Sequence, residues 1–143
     1  MEFITREFEL THRLIAMIKG AAAKTQLNEA WVFAALIEAG LKRTSAEDIW
    51  SIETKRKGNT SLPKYSVCIN SVLKDKIKNL ARLCSIITDD GDSDLDETAA
   101  CLLILAFTDR NCEFKNVLDQ DDVDRLYMSN PELGLKDYKG DKK

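Results

Sequence analysis

Few side chains in this 143-residue sequence stand where chemistry would need them. The single histidine, His12, has no second group at a fixed spacing that would make it a general base, so it reads as a surface residue at a helix start. Cys68, Cys84, Cys101 and Cys112 are spaced 16, 17 and 11 residues apart without a CxxC. Structural zinc uses closer pairs, so these read as free thiols of a reducing compartment, three of them in apolar stretches. Asp90, Asp92 and Asp94 alternate as calcium ligands do. However, Leu95 and Cys101 stand where that loop needs Gly and Glu, so the acids read as a solvated loop leading into a helix N-terminus. No Gly-rich phosphate loop or nucleophile elbow occurs, and Asn59-Thr60-Ser61 matches a glycosylation pattern that has no meaning without a secretory signal. The expectation is a protein that is not an enzyme and has no metal and no cofactor. The start of the sequence lacks a signal pattern, and no apolar run approaches ~18 residues. A cytoplasmic location without membrane contact is therefore expected.

Charge is the remaining chemistry. The total is −3, from 21 Lys and Arg against 24 Asp and Glu, which alone argues against a nucleic-acid binder. Its distribution argues the other way. Between residues 55 and 82 stand Lys55, Arg56, Lys57, Lys64, Lys74, Lys76, Lys78 and Arg82 against Asp75 alone. That local +7 leaves −10 for the rest of the chain. Lys74, Lys76 and Lys78 match a solvated helix face, whereas the cluster Lys55, Arg56 and Lys57, read as a flexible linker, can follow phosphates.

The elements that must position these groups are mostly helical. Arg6 to Leu10 alternates as a strand with Phe8 and Leu10 inward. Thr11 caps a helix whose face is Leu14, Ile18, Ala21 and Ala22, ending near Lys24-Thr25-Gln26. Asn28 caps a second helix, with residues 30–37 all apolar and therefore expected buried on every side, and Gly40 as its stop. Ser45 to Asp48 opens a third, short helix through Ile52. Residues 55–64 are a linker by composition, and Tyr65 to Ile69 alternates as a second strand. Asn70 or Ser71 caps a helix with Leu73, Ile77, Leu80, Cys84 and Ile87 on one face. After the acidic loop, a helix starting at Leu95 carries an unbroken apolar run over 99–107. A short helix over Asp121 to Met128 ends at Asn130-Pro131, and the charged residues Asp137 to Lys143 resemble an epitope tag and carry no functional weight.

The order strand, amphipathic helix, apolar helix thus occurs twice. Setting residues 10–22 on 69–81, an offset of 59, pairs Leu14 with Leu73, Ile18 with Ile77, Lys19 with Lys78 and Ala22 with Ala81. Setting Leu27-Asn28-Glu29 on Leu95-Asp96-Glu97 needs an offset of 68, so an insertion of nine residues is assigned to the acidic loop. Neither half can bury its strand and apolar helix alone, and two strands pairing antiparallel over four helices can.

This pattern resembles the ribbon-helix-helix family, in the tandem single-chain form of relaxosome accessory proteins of conjugative plasmids. Asn28-Glu29-Ala30 is similar to the Ser-Glu-Ala that the family often carries at its second helix, and Asp96-Glu97-Thr98 is a looser copy. The resemblance implies a mostly α fold: a two-stranded antiparallel ribbon over four main helices, plus short linker and C-terminal helices. One domain over 1–143 is expected. It comprises a first repeat over 5–42, a helix and basic linker over 43–63, a second repeat over 64–110 and a polar tail over 111–143.

The resemblance further implies double-stranded DNA as the partner, with the ribbon in the major groove, in a small regulator or accessory protein on plasmid or phage DNA. The outward residues would be Thr5, Glu7 and Glu9 on one strand and Lys64, Ser66 and Cys68 on the other. Glu7 and Glu9 would face phosphates, so the second strand is expected to lead. Asn28 would receive a phosphate at its helix start, which Asp96 would repel at the other. Lys55, Arg56 and Lys57 would add backbone contacts. A monomer is expected, since one chain completes the ribbon. The alternative is a protein-binding module, inhibitor- or antitoxin-like, that uses the acidic surface or the C-terminal tail on the same fold.

Overall fold

A computed structural model describes residues 2–44, 46–58 and 61–133, a mostly helical chain with a two-stranded antiparallel sheet. The strands are β1 (Phe3–Glu9) and β2 (Lys64–Asn70), paired from Phe3 opposite Asn70 to Glu9 opposite Lys64. The Leu10 N–H donates to the Pro63 carbonyl and the Ser71 N–H to the Glu2 carbonyl, so the same register runs past both strand ends. β1 starts earlier than Arg6 because Ile4 and Arg6 also face inward. Arg6 is a charge on the core side, and it masks the period-two pattern that would have revealed the longer strand.

Helix α1 (His12–Thr25) is capped by Thr11 and α4 (Ser71–Leu83) by Asn70. The two caps lie 59 residues apart. The ends correspond as well: Gln26 and Ser85, again 59 apart, both take the left-handed conformation, at φ 60° and φ 55°. The N–H groups that follow them, on Leu27 and Ile86, donate to the Ala22 and Ala81 carbonyls, the αL ending by which a helix satisfies its last carbonyls. Leu73, Ile77, Ala81 and Cys84 are buried, but Ile87 lies beyond this ending, exposed, and bridges to Ser93 instead of extending the helical face.

The apolar helices are α2 (Glu29–Arg43), capped by Asn28, and α5 (Leu95–Phe107), capped by Asp94. These caps lie 66 residues apart, seven more than the 59 between the caps of α1 and α4. Leu95 starts its helix, whereas Leu27 precedes one. α2 and α5 make the most extensive helix–helix contact of the core. Gly40 does not stop α2: the helix runs on to Arg43, and a Cβ at Gly40 would land on the Leu102 backbone, with Leu102 Cα only 2.9 Å away. Glycine is there for close approach. Nor is α2 buried all round, since Trp31 is exposed and Ala34, Ala35 and Ala39 are half-buried. In α5 every residue from Thr98 to Phe107 is buried.

Two shorter helices are α3 (Ala46–Ser51) and α6 (Gln120–Ser129), and a helical turn follows over 131–133. The Ser45 cap expected for α3, the glycosylation-like Asn59-Thr60 and the charged end over Asp137 to Lys143 lie outside the described residues. Among the described residues no helix is long and apolar enough to cross a membrane. Cys84, Cys101 and Cys112 are buried free thiols, and Cys68 is an exposed one.

Candidate nucleic-acid interface

The ribbon has two chemically distinct faces because side chains alternate along each strand. Phe8, Tyr65, Val67 and Ile69 are buried against the helices, and the Phe33 ring packs 5.2 Å from Phe8 and 5.9 Å from Tyr65. Thr5, Glu7, Glu9, Lys64, Ser66 and Cys68 all point outward and are exposed. The register pairs Thr5 with Cys68, Glu7 with Ser66 and Glu9 with Lys64. Directly opposed side chains are close enough to interact, so Lys64 offsets the charge of Glu9 while Glu7 faces only a serine.

The start of each apolar helix is tied to a strand. At α2, the Tyr65 hydroxyl donates to Glu29 Oε1 at 3.0 Å, and Asn28 Oδ1 accepts the Ala30 N–H at 2.8 Å. Burial, then the Glu29 carboxylate, pushes the Tyr65 phenol well above its ordinary range. At α5, Arg6 Nη2 reaches Asp96 Oδ1 at 3.2 Å, and its guanidinium lies 4.9 Å from the Phe8 ring centre. Burial raises the Asp96 carboxyl, and Arg6 and Arg56 oppose that shift. The two starts therefore differ in what they offer an anion. Asn28 is exposed and uncharged, and Glu29 is the one acid of its first turn, whereas α5 opens with Asp94, Asp96 and Glu97. Fewer carboxylates therefore oppose the pull of backbone N–H groups and helix dipole on an anion at the first than at the second.

The basic cluster divides. Lys55 and Lys57 are exposed. The Arg56 side chain is only 12% exposed: Nη1 meets Glu97 Oε1 at 2.9 Å, and Nε donates to the Glu9 carbonyl at 2.8 Å. The Thr54 hydroxyl also lies 2.9 Å from both Glu97 oxygens, and the Asn130 amide bonds the Glu53 backbone, with Oδ1 accepting the Glu53 N–H at 2.6 Å. The linker is thus anchored over 53–56, and Arg56 is a structural ion pair. On α4, Lys76 meets Glu38 at 3.2 Å, while Lys78 and Arg82 are exposed, as on a solvated helix face.

Arg6, Glu29, Glu97 and Asn130 were not identifiable as positioning residues from spacing. The usable signal for Arg6 is a charge on the apolar face of a strand, which requires a partner. The others hold partners 36 to 77 residues away. Comparison with family models, curated proteins and solved structures finds no match to this chain.

Proposed function

We propose that the chain is a single-chain ribbon-helix-helix pseudo-dimer that binds double-stranded DNA through the outer face of its ribbon. The observation that carries this reading is the register. Glu7 stands opposite Ser66, and these residues are equivalent under the 59-residue offset of the two helix caps. An approximate two-fold axis therefore passes through that pair, and the Thr5–Cys68 pair is the counterpart of the Glu9–Lys64 pair. A two-fold ribbon with polar outer side chains has the dimensions and chemistry of a major-groove reader. Lys64, Ser66, Cys68 and Thr5 would meet base edges, Asn28 a phosphate at the start of α2, and Lys55 and Lys57 the flanking backbone. Arg56 would act indirectly, by holding the linker. Such a protein would serve as a small regulator or accessory factor.

Glu7 and Glu9 on the same face favour a second reading, an acidic surface for a basic protein partner. Titration of duplex DNA at graded salt separates the two. DNA binding should weaken with salt at a log–log slope of about −0.9 per phosphate contacted, and no binding at ~50 mM salt would sink the first reading. Lys64→Glu should weaken DNA binding at least about fivefold. Glu9→Gln should leave it unchanged or tighten it. A monomer by light scattering is expected, since both strands come from one chain.

A further inference from the structure

A second feature borders the outer ribbon face at Glu9. A cleft of about 580 Å³ opens between α3, the linker, the segment after α4 and the first turns of α5, with Glu9 at its edge. Two kinds of chemistry meet in it. Trp50 and Ile87 both line it and are 65% and 60% exposed. The Trp50 ring is fixed in place, because its Nε1–H donates to the Cys84 carbonyl at 2.6 Å. Large apolar side chains held out to solvent beside a polar cleft mark a surface that another molecule covers.

The other chemistry is negative charge. Glu9, Glu53, Asp89, Asp94 and Glu97 line the cleft against Arg56 and Lys57. Arg56 is committed to Glu97 and lies 4.0 Å from Asp94. Among the described residues no cation lies within 4.0 Å of the Asp89 carboxylate, and Glu9 has only the cross-strand Lys64 opposite it. The chain's own Arg56 also shows what these oxygens accept, a guanidinium held between a carboxylate and the Glu9 carbonyl. A polyanion would be repelled here, and a purely apolar ligand would leave the carboxylates without counter-charge.

We propose that this cleft docks a basic peptide segment of a partner protein, with an Arg or Lys side chain toward Glu9 and Asp89 and a neighbouring apolar side chain on Trp50 and Ile87. The complementarity is of charge and of apolar surface together.

Fluorescence tests it directly. The sequence has two tryptophans, so Trp31→Phe leaves Trp50 as the sole indole. The probes are the capped tetrapeptide acetyl-Leu-Arg-Leu-Arg-amide and the same peptide with citrulline for arginine. The arginine peptide should give a saturable change with half-saturation below about 1 mM. It should bind at least about threefold tighter than the citrulline peptide, and Asp89→Lys should abolish that preference without shifting the melting temperature. The proposal is overturned by equal affinity for the two peptides, by no saturable change up to ~10 mM, or by an Asp89→Lys protein that binds as its parent does.

Discussion

The two apolar helices carry the same kind of sequence in different surroundings. In α5 every residue from Thr98 to Phe107 is buried, whereas in α2 the Trp31 side chain is 52% exposed and Ala34, Ala35, Glu38 and Ala39 form a half-covered face. The cause lies outside both helices. The chain beyond α5 folds back on the α1 side, where Asp122 pairs with Arg13, Leu126 lines a cavity with Leu14 and Ile104, and the Tyr127 hydroxyl donates to the Thr108 carbonyl. On the corresponding side, between α2 and α4, Lys76 pairs with Glu38, and the Trp31 ring of α2 meets the Phe114 ring edge-on, 6.5 Å between centres. Alanines suit that face, since they expose little apolar area, while the leucines of α5 need cover on all sides. An unbroken apolar run therefore marks a helix that meets the core, not one enclosed by it.

The largest expected effect comes from the crossing that both helices share. Gly40→Leu would drive side-chain atoms into the Leu102 backbone and should cost at least about 3 kcal/mol or prevent folding. Gly20→Ala, where a Cβ meets nothing within 4 Å inside α1, should instead stabilise by about 0.5–1 kcal/mol. Equal melting temperatures for these variants would break the close-approach account. Next, Leu102→Ala on the enclosed helix should cost about 3 kcal/mol in urea unfolding. Trp31→Ala on the uncovered face should cost about 1 kcal/mol, chiefly its edge contact with Phe114. Similar losses at both positions would mean that the two faces are equally covered.

The clamped helix starts give smaller effects. Arg56→Ala should cost about 2 kcal/mol, because it leaves Glu97 without its guanidinium. Lys55→Ala should stay within about 0.5 kcal/mol. The reverse order in thermal melts would place Lys55, not Arg56, in the structural pair. The most specific effect concerns Tyr65. Its phenol is raised in the folded state, so the folded chain holds that proton more tightly than the unfolded chain. The resulting stability is present below the ordinary value of 10.0 and lost as pH rises above it. Tyr65→Phe should lose about 1 kcal/mol with the Glu29 bond and flatten the fall in stability above pH ~10.

Much of the backbone was legible along the chain. Thr11, Asn28 and Asn70 announce their helices by side-chain chemistry, and period-two alternation places Tyr65, Val67 and Ile69 inward. The offset of 59 rests on only four identities in thirteen pairs, yet it reappears in the helix caps and in the left-handed endings at Gln26 and Ser85. The outward set of the ribbon followed from the same alternation. Less legible were Gly40, whose role depends on a helix 62 residues away, and Arg56, whose neighbours in sequence suggested a flexible linker that follows phosphates.

Local rules acting over a few residues were enough to set the caps and the strand faces, because hydrogen bonds at helix ends and alternation along a strand are short-range. Only the tertiary structure decided which apolar helix is enclosed, which member of the basic cluster is held in an ion pair, and which carboxylates line a cleft. Those outcomes depend on segments far apart in sequence competing for the same surface, and neither pattern nor composition records which of them arrives there.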